Sequence, residues 1–374
     1  LKPCILPMYW LPDAIKNLFK VFSRIYSKLL ALKQILISCI IVTLFASCKN
    51  KKTTIVSEVF IDSLINNYKE PPEIKSVETD IQFWKSRIHP QSPGLVNELK
   101  YASALVRRFH LKGNIADLVT ADSILYTSDS VFAHKEPSPI IALVRNNILQ
   151  HRFKQADTLL EYAKKLGIKP YQSAITTFDV AFELGNYLLA ETELKKIADN
   201  KEYAYNFRLA KLAHYKAEVD SGIAAMHRAY LFSGDNIVLK QAALSNEADL
   251  NLHNGDLQKA NDLYMQSIRL SVADLHSILG LGWIALLHDK DDTLAEKIFR
   301  FVKTKTKSPD ALYKMIAVAD ERKDTVMQKK YALEFASQVT APVYGNMYNK
   351  YLIELYAGIL KEPTKAMLLA KNEL

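Results

Sequence analysis

Apolar and polar residues alternate with the period of an α-helix along most of this chain, from about residue 93 to residue 374. Val and Ile occur singly within the pattern, and no stretch alternates strictly as a half-buried β-strand would. Turn signals rich in Gly, Asn and Asp separate the periodic stretches. The pattern therefore predicts an all-α protein made of helical pairs. The predicted pairs cover residues 93–130, 138–167, 171–199, 203–233, 238–271, 276–305, 310–338 and 346–374.

The clearest pair signal lies at Asn254–Tyr264. Asn254 and Gly255 form a turn signal, and Asp256 is well placed to cap the helix that follows. Ala260 and Tyr264 are four residues apart and therefore share one face of that helix. A small residue lets two helices approach, and a large one fills the space beside it.

The same small–large pair recurs roughly every 34 residues. The small residues are Ala156, Ala190, Gly222, Ala260 and Ala295. The large residues four positions later are Leu160, Leu194, Met226, Tyr264 and Phe299. Twelve positions before each small residue, on the preceding helix, stand Val144, Phe178, Ala210, Ala248 and Trp283. This register predicts interlocking helical hairpins; the alternative is an ordinary helical bundle with accidental periodicity.

The repeat resembles the tetratricopeptide repeat, a 34-residue helix–turn–helix unit. The resemblance implies an α-solenoid of about seven to eight helical hairpins over residues 77–374. The family's Trp near the start of the first helix is absent, and its Pro is missing from most copies, although Pro170 and Pro309 lie near expected repeat ends.

The N-terminal region carries a short apolar run, Ile35–Phe45, followed by Ala46, Ser47 and Cys48. Eleven residues are too few to span a bilayer but suit the core of a signal peptide. Small residues before a Cys resemble a bacterial lipobox, which implies that Cys48 carries the lipid. Phe45 stands where the motif usually has Leu. A secretory signal with a chance Cys and an N-terminal membrane anchor are the alternatives.

These features divide the chain into three parts. Residues 1–47 are predicted to hold a signal peptide preceded by a non-native or overlong extension, although residues 1–33 could instead form a basic helix on a membrane surface. Residues 48–76 are predicted to be the lipidated Cys and a flexible tether, and residues 77–374 the solenoid.

The last helix has too many apolar residues for one face, so we expect an exposed apolar strip. Either the natural chain continues past Leu374, or this strip contacts a partner or a second copy.

Charge and cysteine content narrow the possible functions. The formal charge is +9, but the chain after Cys48 has 43 basic and 39 acidic residues, which is an ordinary surface and argues against a nucleic-acid partner. All three cysteines lie within the first 48 residues, so no intrachain disulfide can form beyond Cys48.

Catalytic and cofactor motifs are missing from the sequence. It has no phosphate-binding glycine loop, no HExxH and no paired cysteines of a metal site. Gly280-Leu281-Gly282 is interpreted as close helix packing. The acidic turn at His288–Asp292 could attract a cation, but a solvated turn with a helix cap is the favoured interpretation. We therefore expect no enzyme activity, no cofactor and no metal.

The remaining candidate site is the concave groove. In the resembled family the first helix of each unit lines this groove, which usually binds protein or peptide. The register implies a partner-binding set of Arg145, Asp179, Phe207, Lys211, His214, Tyr215, Asp249 and His253. A plain solvated face is the alternative for each of these residues.

The whole pattern is similar to repeat-containing lipoproteins of the Bacteroidota cell envelope. That resemblance implies a scaffold or adaptor that binds a protein partner and is held at a bacterial envelope membrane through a lipid anchor, with the outer membrane favoured and the leaflet open. A SusD-like glycan-binding uptake lipoprotein is the alternative function, and an enzyme with an unfamiliar site is a third class.

Overall fold

The computed structural model describes residues 54–89, 94–199 and 201–373. These ranges contain 18 α-helices and no β-strand. The predicted signal peptide and lipid-attachment residue, Cys48, lie outside them. Within them, no helix is both long and apolar enough to cross a bilayer.

Two helices precede the repeats, α1 (Glu58–Asn66) and α2 (Pro72–Lys85). The first four hairpins are α3 (Leu95–Lys112) with α4 (Ile115–Val131), α5 (Pro137–Leu149) with α6 (Phe153–Leu166), α7 (Pro170–Glu183) with α8 (Tyr187–Lys196), and α9 (Tyr203–Tyr215) with α10 (Val219–Leu231). The last four are α11 (Ile237–His253) with α12 (Leu257–Leu270), α13 (Leu275–Ile284) with α14 (Asp292–Lys305), α15 (Asp310–Glu321) with α16 (Thr325–Val339), and α17 (Asn349–Ala357) with α18 (Pro363–Glu373). A π-helical turn at Ala285–Asp289 extends α13, and a 3₁₀ turn covers Pro342–Tyr344. The predicted all-α solenoid of helical pairs is confirmed.

The predicted small residues do interlock the hairpins. Ala156, Ala190, Ala260 and Ala295 are fully buried. A Cβ added to Gly222 would lie 3.3 Å from the carbonyl oxygen of Ala210, so the two backbones nearly touch.

Three further alanines occupy the same register and were missed in the sequence: Ala121, Ala332 and Ala366. The last two are followed four positions later by small residues, Ala336 and Ala370, rather than by large ones. The small–large signal is therefore weak at this end, although the packing is the same.

The two glycines of α13 provide room for large neighbours, as interpreted from the sequence. A Cβ on Gly280 would lie 2.4 Å from the Tyr264 ring, and one on Gly282 would lie 2.4 Å from the Phe299 ring. No real Cβ approaches another atom so closely, so each ring occupies the space that a larger residue would take.

The N-terminal segment Thr54–Tyr68, here called the strap, is packed against the C-terminal half of the solenoid. Val56 is 3% and Ile61 0% exposed. The Asp289 carboxylate accepts hydrogen bonds from the backbone amides of Ile55, at 3.0 Å, and Val56, at 2.9 Å. The prediction of a flexible tether over residues 48–76 therefore differs from the structure wherever the structure describes them. The partners of the strap lie more than 200 residues away, and local composition carries no sign of them.

The first hairpin also meets the C-terminal half of the solenoid along a seam. The carbonyl of Lys112 accepts hydrogen bonds from the Lys307 amide, at 2.8 Å, and from the Thr306 hydroxyl, at 3.0 Å. Gly113 follows with φ of 65°, and a Cβ there would lie 2.4 Å from the backbone nitrogen of Ser308. The turn of the first hairpin thus contacts the loop between the sixth and seventh, which closes the superhelix on itself.

The last helix exposes apolar side chains, as predicted. Met367 is 56% and Leu368 61% exposed, while Ala366 is buried against α17. Leu374, part of the same predicted strip, lies outside the described residues.

Candidate partner-binding groove

The first helices of the hairpins line a concave surface that contains two separate cavities. The C-terminal cavity has a volume of about 360 Å³ and is built mainly by α11, α13, α15 and α17. The N-terminal cavity has a volume of about 380 Å³ and is built mainly by α3 and α5. Both volumes fall in the range of sites that bind small molecules or peptide side chains.

Six aromatic side chains line the C-terminal cavity: Tyr264, Trp283, Tyr313, Phe335, Tyr348 and Tyr351. Trp283, Tyr313 and Tyr351 are half-buried, and the other three are buried. The rings of Tyr313 and Tyr351 lie 4.5 Å apart, and those of Phe335 and Tyr348 lie 5.7 Å apart in an edge-on arrangement. Such geometries add to the stability of aromatic clusters. The Tyr313 hydroxyl donates to Glu354 at 2.8 Å, which fixes that ring. The half-buried rings of Trp283, Tyr313 and Tyr351 therefore present a fixed surface on which a ligand ring or a proline can stack.

Lys314 lies at the centre of this cavity. Its ammonium nitrogen is 3.6 Å from the centroid of the Trp283 ring, a cation–π contact. Burial lowers the pKa of Lys314, and the nearby carboxylates of Asp310 and Asp249 oppose that shift. Among the described residues Lys314 makes no ion pair, so its ammonium can donate hydrogen bonds to a ligand.

Asp249, on α11, lines another part of the cavity wall. Its carboxylate accepts hydrogen bonds from the Tyr264 hydroxyl, at 2.5 Å, and from Nε2 of His276, at 2.9 Å. Burial favours a higher pKa for Asp249, but the bond from His276 holds the pKa below its usual value. Burial alone would lower the pKa of His276, whereas the hydrogen bond and charge of Asp249 raise it to about 9. At neutral pH the wall is therefore an imidazolium–carboxylate pair.

Three predicted groove residues gather at or beside the C-terminal cavity. Asp249 and His253 line it. His214, on the preceding hairpin, lies next to His253, with ring nitrogens 3.2 Å apart and rings nearly parallel. These two histidines extend the polar surface from the cavity toward the middle of the solenoid.

Two predicted residues line the N-terminal cavity instead. Asp179 is held by a two-pronged hydrogen bond from Arg208, at 2.9 and 2.5 Å. Arg145 is exposed and makes no ion pair within the described part of the chain. The predicted set is thus divided between two sites of different chemistry.

The other three predicted residues line neither cavity and are engaged with neighbouring side chains. Phe207 stacks on Tyr203 with ring centroids 5.6 Å apart and is half-buried. Tyr215 stacks on Tyr187 at 3.4 Å. Lys211 forms an ion pair with Glu183 at 2.5 Å.

Sequence reasoning missed the residues at the centre of the C-terminal cavity. The 34-residue period is a signal that could have identified them. Asp310, Tyr313 and Lys314 stand 34 residues after His276, Leu279 and Gly280, so the two sets occupy equivalent positions in successive hairpins. The predicted groove set stops at His253, one hairpin before this run begins.

The acidic turn at His288–Asp292 has a structural role. Asp291 caps α14 by accepting the Leu294 amide at 2.8 Å, as expected. The expectation of a solvated turn is wrong for Asp289, which is 8% exposed and binds the strap amides. No cluster of three or more metal-binding side chains occurs among the described residues.

Comparisons with known proteins find matches among solved structures. No family model matches the chain, and the comparison with curated proteins finds no match. Human IFIT1, solved as a dimer with PPP-AAAA, superposes with a TM-score of 0.52 and 13% identity, covering 79% of this chain and 75% of that one. A chain of the APC/C hetero-tetramer Cut9–Hcn1 superposes with a TM-score of 0.50 and 16% identity. That match covers 67% of this chain and 46% of the other, so this chain spans less than half of its length.

A third similar structure is PH0952 from Pyrococcus horikoshii, a STAND protein with a tetratricopeptide repeat sensor. Its TM-score is 0.46 at 16% identity, with 82% of this chain and 53% of that chain covered. The repeat geometry and the two stronger superpositions agree on the architecture. The fold is an α-solenoid of the tetratricopeptide type.

Proposed function

We propose that this protein is a binding scaffold without catalytic activity, and that its C-terminal cavity holds an extended segment of a protein partner. The observation that carries the proposal is the combination of a rigid aromatic surface with polar groups that converge on it. Aromatic anchors supply contact area at low entropic cost, and fixed charges orient the ligand.

The chemistry of the partner segment follows from the cavity. Trp283, Tyr313 and Tyr351 offer stacking surface for an aromatic or proline side chain. Lys314, which lacks an ion pair among the described residues, can donate to a backbone carbonyl or an acidic side chain. We therefore expect the segment to place an aromatic or proline residue beside an acceptor group.

Photo-crosslinking tests the location of the site. A benzoylphenylalanine in place of Tyr351, inside the cavity, should crosslink to one discrete partner in cells that produce the protein. The same group at Val326, a residue 76% exposed near the start of α16, serves as the control. Replacing Lys314 with Met should abolish the adduct from position 351, whereas Lys330→Met, on the exposed side of α16, should not. Adducts from position 326 alone would refute the proposed site.

We further propose that Cys48 is lipidated and holds the protein at a bacterial envelope membrane. The support is the lipobox-like sequence and the short apolar run before it. The substitution Cys48→Ala should release the protein from the membrane fraction or leave its signal uncleaved. The proposal fails if wild type and variant fractionate as the same soluble, cleaved species.

A further inference from the structure

The N-terminal cavity differs from the C-terminal cavity in its apolar lining and in the charged side chains beside that lining. Among the described residues, its apolar lining is aliphatic and includes no Trp, Tyr or Phe. The larger aliphatic side chains are Leu99, Val106, Leu125, Ile148 and Leu149. Four of them, Leu99, Val106, Ile148 and Leu149, are only half-buried, so they present apolar surface to the groove. Apolar surface in a concave site gains free energy when a ligand removes it from water.

One unpaired positive charge stands beside this aliphatic surface. Arg145 lines the cavity, is exposed, and has no carboxylate within ion-pair distance among the described residues. The carboxylate of Asp179, which also lines the cavity, is occupied by Arg208 through both of its oxygens. A guanidinium stays protonated at any physiological pH and pairs with a carboxylate through two parallel hydrogen bonds.

The other polar groups at the cavity add no second charge. His110 is exposed at its edge, and the loss of solvent around the rest of its ring lowers its pKa, which favours the neutral imidazole. The Asn146 amide donates to the buried carboxylate of Asp122 at 2.8 Å. Within the described part of the chain, the cavity thus offers one free cation, several aliphatic side chains and few free hydrogen-bonding groups.

We propose that the N-terminal cavity binds a single-chain aliphatic carboxylate, with the carboxylate on Arg145 and the tail on the aliphatic lining. A peptide would bring backbone amides and carbonyls that need partners at every residue, and this cavity has few to give. A hydrocarbon chain with one terminal anion needs none besides Arg145. A volume of about 380 Å³ suits a chain of medium length. This proposal is independent of the C-terminal partner site.

Calorimetric titration of the full chain with decanoate, below its micelle concentration, is the first test. We expect one saturable site. Arg145→Gln should weaken decanoate binding by about 10- to 100-fold, which is the usual contribution of a hydrogen bond to a charged group. Lys100→Gln removes an equal charge from an exposed position of α3 outside the cavity and should leave binding unchanged.

A second variant separates binding from folding. Ser103 is exposed and lines the cavity, so Ser103→Phe should fill the space, abolish decanoate binding and preserve the melting temperature. Decyltrimethylammonium has the same tail with the opposite charge and should not bind. A blocked peptide with Glu between two leucines tests a polypeptide ligand and should not compete.

Three results would each overturn the proposal. The first is an absence of saturable decanoate binding. The second is a failure of the controls: decyltrimethylammonium binds as tightly as decanoate, or decanoate binding survives both Arg145→Gln and Ser103→Phe. The third is tighter binding of the acidic peptide, which would make this cavity part of a polypeptide groove instead.

Discussion

The two cavities of the groove are built by the same repeat but differ in their apolar lining. At the C-terminal end, Lys314, which has no ion pair among the described residues, lies beside the aromatic rings of Trp283, Tyr313 and Tyr351. At the N-terminal end, Arg145 has no ion-pair partner among the described residues and faces aliphatic side chains. The interlocking positions are buried in both halves of the solenoid. The groove-facing positions of the first helices differ between the two ends, and they set the chemistry of each site.

The largest effect is expected at the interlock of the sixth hairpin, where the Phe299 ring packs against Gly282. Phe299 is fully buried at the interlock, so Phe299→Ala should lower the free energy of unfolding by about 3–5 kcal/mol. Val326→Ala, at an exposed position, should change it by less than about 0.5 kcal/mol. Urea denaturation measures both. Similar small effects from the two variants would contradict the interlock.

The strap should stabilise the C-terminal half alone. Asp289→Ala leaves the amides of Ile55 and Val56 without their acceptor, which should cost about 1–3 kcal/mol. Hydrogen exchange should become faster at these two amides, while amides of α5 beside the N-terminal cavity keep their protection. Asp235→Ala, at an exposed loop position, is the matched control. Unchanged exchange at residues 55 and 56 would show that the strap does not depend on Asp289.

The smallest effect is a pH dependence confined to the C-terminal cavity. The folded pKa of His276, about 9, lies above its ordinary value of 6.5. Its contribution to stability is therefore full below about pH 6.5 and is lost as the pH rises through 9. Because the His276 side chain is 59% exposed, solvent screening limits this contribution to about 1 kcal/mol or less. Unfolding free energies at pH 6 and pH 9.5 measure it, and His276→Gln should remove this component. An identical pH difference in the variant would assign the effect to other groups.

How much the sequence reveals depends on whether a feature is local or long-range. The hairpins and the interlock are local, because Ala260 and Tyr264 signal their packing within one helix turn. The strap and the seam join residues about 200 positions apart, such as Lys112 and Lys307, and no short pattern encodes that contact. The sequence predicted that a groove exists. It did not show which of the predicted groove residues line a cavity and which are engaged by neighbouring side chains. Side chains such as Lys211 and Tyr215 have near neighbours that only the structure shows.

The most direct test of the central claim measures both binding activities on the same two variants. If the C-terminal cavity is the partner site, Lys314→Met should abolish capture of the crosslinked partner and leave decanoate affinity unchanged. Arg145→Gln should do the reverse. Loss of partner capture in Arg145→Gln, or its persistence in Lys314→Met, would contradict the assignment of the partner site to the C-terminal cavity.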